Sequence, residues 1–348
     1  MKRIPVGILG ATGAVGQRFV QLLENHPYFE IVDLFASERS AGKLYRDAVS
    51  WRLPTKLPAS VGNLRVKTCE PGTRAKVVFS GLDSAVAGEI EEKFARAGYA
   101  VISNSKNHRM DKDVPLLIGE VNPDQIKLIK FQKKRFGGRG FIVTNPNCTT
   151  IGLAMVLKPL DDAFGVEQVI ATSMQALSGA GYPGVSGMDA LDNVIPYILD
   201  EEEKLQTEPL KLLGKVVGDE VKFASFKIDA HCNRVGVRDG HMETLSIGFK
   251  KRVTAGEVSR VLKNFRGLVQ KLNLPSAPKE PIIVMDAPDR PQPVLDRDMG
   301  GGMSVVVGRI RESKVLDINL VLLVHNTIRG AAGAAILNAE LLHSQKII

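Results

Sequence analysis

A chain of 348 residues with 44% hydrophobic and 24% charged side chains has the material for a sizeable core and about two domains, which excludes a disordered chain. Its formal net charge of +8 is spread along the sequence, only 5% of residues are aromatic, and no basic run is interleaved with aromatics, so nucleic-acid binding finds no support. Cys69, Cys148 and Cys232 have no C-x-x-C spacing and cannot all pair, which argues against a disulfide framework or a cysteine-rich metal site and fits a reducing cytoplasm.

In chain order, the opening MKRIPVGILGATG holds no cleavable apolar segment and leads straight into a folded pattern. Arg3 to Leu9 reads as a strand, and Ala14, Val15, Phe19, Leu22 and Leu23 recur at helical spacing, giving strand, glycine turn, helix. Ile31 to Ala36 and Val77 to Ser80 predict further strands, and Ala85 to Ala97 a helix. Tyr99 to Ser103, Pro115 to Gly119 and Phe141 to Thr144 predict short buried strands, and Lys127 to Gly140 a solvated helix end plus loop. The first 148 residues therefore suggest an open, mostly parallel sheet covered by helices.

After Cys148 the expected strands are longer: Val166 to Met174, Lys222 to Ile228, Thr244 to Phe249 and Leu316 to Val324. The longest run free of Asp, Glu, Lys and Arg, Gln168 to Met188, is broken by Gly, Ser, Pro, Thr and Gln and does not read as a membrane span. Met188 to Leu213 predicts a long, partly amphipathic helical region carrying the acidic run Asp200 to Glu203. Ala255 to Leu272 predicts another helix, and the Ala-rich Thr327 to Leu342 a last one that returns to the first domain. The expected fold is α/β: a Rossmann-like dinucleotide-binding domain of residues 1–148 and 327–348, and an α+β domain of residues 149–326.

The turn after the first strand reads Gly10-Ala-Thr-Gly13-Ala-Val-Gly16. Glycines there let the backbone approach a pyrophosphate, and the helix that follows offers free N–H groups and a positive dipole end. Gly10, Thr12, Gly13, Ala14 and Val15 are thus candidate cofactor contacts. The next strand ends in Ala36-Ser-Glu-Arg-Ser40. Glu38 suits a free ribose hydroxyl, whereas Arg39 between Ser37 and Ser40 suits a 2′-phosphate; the reading favours NADP and leaves NAD open.

Thr144-Asn-Pro-Asn-Cys148-Thr-Thr follows a strand and precedes a helical pattern. A cysteine at a helix N-terminus has a dipole favouring its thiolate and N–H groups able to hold an oxyanion, the requirements of covalent catalysis at a carbonyl. Cys69 and Cys232 read as structural. Six histidines could serve as acid/base; His241, at the start of a strand seven residues after Arg234, is one of them, and residue chemistry alone does not select it.

With the glycine loop, the NPNC segment followed by Ser173-Met-Gln-Ala-Leu-Ser-Gly-Ala-Gly181, and Arg234-Val-Gly-Val-Arg-Asp-Gly-His241 in chain order, the sequence resembles the aspartate-semialdehyde dehydrogenase family, in its archaeal and fungal branch, over essentially its whole length. The resemblance implies Cys148 as acyl-enzyme nucleophile, His241 as acid/base, and Gln175 as a residue holding substrate and intermediate. It implies Arg234 on the substrate α-carboxylate, which suits a planar bidentate donor, and Arg109 and Lys204 on phosphate. In the Glu-Glu-Glu-Lys stretch the partner of the substrate amine is Glu201 or Glu202, because three glutamates blur the register. Ser80, Ser178, Gly179 and Asn326 would join the cofactor set, with His325 standing where the family motif has Asp. The family's chemistry is the reversible NADP-dependent reduction of L-4-aspartyl phosphate to L-aspartate 4-semialdehyde and phosphate, a step in lysine, threonine and methionine biosynthesis. A homodimer or homotetramer formed through the second domain is expected, in the cytoplasm, without metal, membrane or nucleic-acid partner. Malonyl-CoA reductase is the alternative, but its cysteine motif departs from NPNC and it lacks an arginine matching Arg234. N-acetyl-glutamyl-phosphate reductase fits the S-G-A-G and E-E-E-K segments less well, and a non-catalytic dinucleotide sensor would be expected to lose Cys148, His241 or Arg234.

Overall fold

The computed structural model describes residues 3–348. The first half builds one parallel sheet from β1 (Ile4–Leu9), β2 (Phe29–Phe35), β3 (Val66–Lys67), β4 (Val77–Ser80), β5 (Ala100–Ser103) and β6 (Phe141–Thr144). Every residue of β4, β5 and β6 is buried, as a parallel sheet with both faces covered requires. The spatial order is β3-β2-β1-β4-β5-β6, the Rossmann arrangement, and the reversal between β1 and β4 opens a crevice at the carboxyl ends of those strands.

Pro115 to Gly119 does not form the expected strand and makes only a bridge between Leu116 and Thr144. Side-chain amides do the work of a ladder there: Gln125 accepts from the Leu116 N–H (3.1 Å), and Asn122 donates to the Leu116 carbonyl (2.8 Å) and accepts from the Ile118 N–H (2.9 Å). Within Lys127 to Gly140 a complete helix, Ile129–Phe136, ends at Gly137, whose φ of 75° is the left-handed cap.

The second sheet is mixed. It comprises β7 (Val166–Gln175), β8 (Val194–Pro196), β11 (Lys227–Val235), β12 (His241–Phe249), β13 (Ile282–Val284), β14 (Val305–Glu312) and β15 (Ile318–Val324), while β9 (Lys215–Val217) and β10 (Glu220–Lys222) form a separate hairpin. The order is β13-β14-β15-β12-β7-β11-β8. The helix Cys148–Phe164 packs Ile151, Leu153, Met155 and Leu157 into the core beneath this sheet.

Three expectations for this half are corrected. Met188 to Leu213 is not one helical region: a turn of helix, Gly187–Ala190, gives way to β8 and only then to the helix Glu201–Leu212. Positive φ at Tyr197 (71°) and Asp200 (62°) turns the chain between them. The strand expected over Lys222 to Ile228 is interrupted, β10 ending at Lys222 and β11 starting at Lys227. Ala255 to Leu272 divides into Ala255–Asn264 and Leu268–Lys271, the backbone between them being extended at Phe265 (ψ 126°) and Gly267 (ψ −173°), where a Cβ would lie 2.5 Å from the Glu120 Cα. Strands β13 and β14 were not expected at all. At the end of the chain a π-helical turn, Ile328–Ala332, continues into the helix Gly333–Ser344, which packs Ala335, Ile336, Ala339 and Leu342 into the core of the first sheet.

Candidate active site

The nucleophile candidate stands where β6 turns into a helix. Asn147 caps that helix, its side-chain oxygen accepting from the N–H groups of Thr149 (2.9 Å) and Thr150 (3.2 Å). Asn145, just before, donates to the Asn104 side chain and the Ala331 carbonyl, both at 2.9 Å. Cys148 therefore enters the site from a turn fixed on both sides, and Gly330 of the π-helical turn backs it so closely that a Cβ there would fall 2.8 Å from the Cys148 Cβ.

His241, the first residue of β12, brings Nε2 to 3.2 Å from the Cys148 Sγ. Its Nδ1 accepts the Ala176 N–H at 2.9 Å, so the neutral ring carries its proton on Nε2 and points it at the sulfur. Burial lowers the His241 pKa to about 3, with the Arg234 charge adding to the effect. Burial also raises the Cys148 thiol to about 12; Glu201 adds to that, while Arg109, Arg234 and the Thr149 hydrogen bond pull it back.

Of the three glutamates, Glu201 faces the site. It accepts from Asn147 Nδ2 (3.0 and 2.9 Å), Gln175 Nε2 (3.2 Å) and Lys204 Nζ (2.8 Å). Burial disfavours its charge, but Lys204, Asn147 and Gln175 outweigh that and hold its carboxyl below the usual range. Glu202 turns away to accept the Cys232 N–H at 3.0 Å. Arg234, on β11, is oriented by a 2.7 Å bond from Nη1 to the Ala176 carbonyl. Arg109 donates from Nη1 to Glu208 (2.9 Å) and from Nη2 to the Asn104 carbonyl (2.7 Å).

A cleft of about 610 Å³ runs from the glycine turn toward this cluster. Gly10, Thr12, Gly13, Ala14, Val15 and Ser37 line one end; Lys106, Arg109, Asn147, Lys204, Ser178 and Gly179 line the other. Gly10 needs its φ of 76°, and a Cβ on Gly16 would lie 2.2 Å from the Gly10 carbonyl oxygen, so both glycines are dictated by the tight turn. One end of the cleft thus offers backbone at a glycine turn and a helix start, the chemistry that suits a pyrophosphate, and the other the small Ser178-Gly179 segment. Arg39, Ser40 and Asn326 do not line the cleft. Ser80 is buried at the end of β4 and does not line it either. Asn326 instead ties two loops, donating to Ser178 Oγ (2.7 Å) and accepting the Gly240 N–H (2.9 Å). Among the described residues no group of three or more His, Cys, Asp or Glu side chains is placed to hold a metal ion.

Sequence reasoning missed Lys106, Glu208 and Lys211. The signal for Glu208 is its spacing from Glu201, which keeps Glu201, Leu205, Glu208 and Leu212 on one buried helix face; Lys211 is buried beside that face with no such signal.

Rossmann sheet, nucleotide cleft and hydrogen-bonded Cys148–His241 pair together define an NAD(P)-dependent oxidoreductase of the semialdehyde dehydrogenase class. Family profiles described as "Semialdehyde dehydrogenase, NAD binding domain" and "Semialdehyde dehydrogenase, dimerisation domain" match residues 5–129 and 157–329. Aspartate-semialdehyde dehydrogenase of Archaeoglobus fulgidus is 50% identical over 99% of this chain and 100% of its own, and that of Candida albicans 49% identical over 98% of each. The crystal structure of the Candida albicans enzyme with NADP superimposes with a TM-score of 0.92 at 48% identity over 100% of both chains. Aspartate semialdehyde dehydrogenase II of Vibrio cholerae complexed with ASA does so with 0.79 at 28% identity over 99% of both. The chain belongs to the aspartate-semialdehyde dehydrogenase family.

Proposed function

We propose that the chain catalyses the reversible, NADP-dependent oxidation of L-aspartate 4-semialdehyde with phosphate to L-4-aspartyl phosphate, with Cys148 carrying the acyl group as a thioester. The observation that carries this reading is the 3.2 Å Cys148–His241 pair, with Arg234 and the His241 ring both against Gly179, a residue that lines the nucleotide cleft together with Arg109 and Lys204.

In the oxidative direction the Cys148 sulfur forms a bond to the aldehyde carbon and the carbonyl oxygen takes up the thiol proton, giving a thiohemiacetal. NADP, when bound, supplies the hydride chemistry. His241 donates a hydrogen bond to the substrate oxygen, and through Nε2–H alone, because the Ala176 N–H occupies Nδ1; the proton that oxygen gives up as hydride leaves passes to solvent. Arg234 grips the substrate α-carboxylate, Glu201 its amine, and Gln175 steadies the intermediate. Phosphate, held by Arg109 and Lys204, attacks the thioester carbon and the Cys148 sulfur leaves.

The NADP preference is supported by the Candida albicans relative solved with NADP and by Ser37 on the cleft wall. We further propose a cytoplasmic homodimer or homotetramer joined through the open face of the second sheet, where Ile170 and Thr244 are exposed. No helix among the described residues is long and apolar enough to cross a membrane. The relatives support neither a malonyl-CoA reductase nor a non-catalytic sensor. The test is one set of assays: aspartate semialdehyde plus phosphate, and malonyl-CoA plus NADPH, each repeated with the NAD(H) form. Phosphate-dependent NADPH formation that disappears in Cys148→Ala is expected; turnover of malonyl-CoA alone overturns the reading.

A further inference from the structure

Two charged residues that have no role in the reading above lie fully inside the protein on the helix Glu201–Leu212. Glu208 is 2% and Lys211 1% exposed, and charges at that depth persist only where every polar atom is matched. One Glu208 oxygen accepts from Arg109 Nη1 (2.9 Å) and the other accepts the backbone N–H of Asn147 (2.7 Å). Lys211 spends its three ammonium protons on the carbonyls of Arg109 (2.7 Å), Asp111 (2.7 Å) and Val114 (2.9 Å). The helix also offers its own Lys211 carbonyl to Gln125 Nε2 at 2.8 Å.

These contacts converge on two places. Arg109 is held at its guanidinium by Glu208 and the Asn104 carbonyl, and at its backbone by Lys211. Asn147, which caps the helix of the nucleophile, is held at its N–H by the same Glu208 carboxylate. A phosphate-binding arginine on a mobile loop would have to be ordered each time phosphate binds; here that ordering is built into the fold. One carboxylate also sets how far the arginine stands from the start of the Cys148 helix.

We propose that Glu208 and Lys211 are positioning residues, a clamp from the second half of the chain that fixes Arg109 and the Asn147 turn relative to each other and so aligns phosphate with the Cys148 thioester. This rests on Arg109 being part of the phosphate site.

The experiment is a double-mutant cycle on the full-length enzyme, reading KM for phosphate, KM for the semialdehyde and kcat. In Glu208→Gln one of the two N–H donors facing this side chain loses its acceptor, because an amide accepts with one atom and donates with the other. E208Q is expected to raise the phosphate KM by about 10-fold, the scale of a lost charge-assisted hydrogen bond, and to lower kcat, with the semialdehyde KM unchanged. Arg109→Leu should raise the phosphate KM at least as much, and the double variant no further than R109L alone, because Glu208 acts through Arg109. Glu208→Asp keeps the charge and should recover part of the loss; it carries the same comparison if E208Q does not fold. Additive effects of E208Q and R109L, or equal rises in both KM values, would mean a merely structural role and overturn the clamp. A silent E208Q beside an affected R109L overturns the clamp alone. A silent R109L removes Arg109 from the phosphate site and the clamp with it.

Discussion

Cys148 begins a 17-residue helix, whose dipole favours a thiolate at that end, yet burial works in the opposite direction on both members of the pair. The thiol is raised to about 12 and His241 lowered to about 3, so at neutral pH the two are uncharged rather than an ion pair. Reactivity of the protein by itself should follow from that. Below its pKa a thiol gains thiolate about tenfold per pH unit, so carboxymethylation of Cys148 by iodoacetamide, read by peptide mass, should climb steadily from pH 7 to pH 9. A plateau below pH 8 would mean that the helix end and the nearby arginines win. At this scale the family resemblance carried by NPNC and the R-V-G-x-R-x-G-H segment took the reading to Cys148, Arg234 and His241, whereas residue chemistry alone did not single out His241 among six histidines. What the motifs leave silent is backbone chemistry: the Ala176 N–H that fixes the His241 tautomer and the Ala176 carbonyl that orients Arg234 belong to a residue with no side-chain signal. The choice between Glu201 and Glu202 was likewise closed to the sequence, because only the helix phase decides which carboxylate turns inward.

The Cys148–Phe164 helix can lie close to β15 and β12 because Gly152 faces them: a Cβ there would fall 3.0 Å from Leu322, 3.2 Å from Val324 and 3.3 Å from Glu243 Oε1. Glu243 is fully buried and neither oxygen has a hydrogen-bond partner among the described residues. Burial alone pushes its pKa well above the usual range, so it stays protonated in the folded protein while it ionises in the unfolded chain. Between pH 4.5 and its folded pKa the unfolded state therefore binds fewer protons, and stability falls as pH rises. Glu243→Gln removes that titration. Its advantage over the native protein in urea unfolding should be larger at pH 8 than at pH 5, growing by up to about 1.4 kcal/mol per pH unit within the window; an equal difference at both pH values would show that Glu243 is ionised in the fold. Elements were legible where burial imposes a simple pattern, as in β4, β5 and β6. They were not where edge position or long-range contacts decide. β14 ends in the alternating charges of Arg309-Ile-Arg-Glu312, which mask a strand, and the expected strand at Leu116 was replaced by side-chain amides 6 and 9 residues on.

Over the whole molecule, the last segment of chain is what joins the two sheets. After β15 leaves the second sheet, Asn326 ties the Ser178 and Gly240 loops, Gly330 lies against Cys148, and the helix Gly333–Ser344 is buried in the core of the first sheet. Between these points Arg329 pairs with Glu120 through two hydrogen bonds of 2.9 and 2.8 Å, both side chains being wholly buried. Loss of the first sheet therefore pulls the final helix away and disturbs the turn behind the nucleophile, and the two halves should unfold as one. The single tryptophan, Trp51, belongs to the first half and gives a local probe, whereas far-UV circular dichroism averages over both sheets. The two signals should trace one transition in urea. Arg329→Met leaves the Glu120 carboxylate buried and uncompensated, at a cost of roughly 3–5 kcal/mol, and should move both signals to lower urea together; adding Glu120→Gln should recover part of the loss, because the stranded charge is then gone. If Trp51 reports an earlier transition than circular dichroism in R329M, the halves fold independently and the final segment is only a tether.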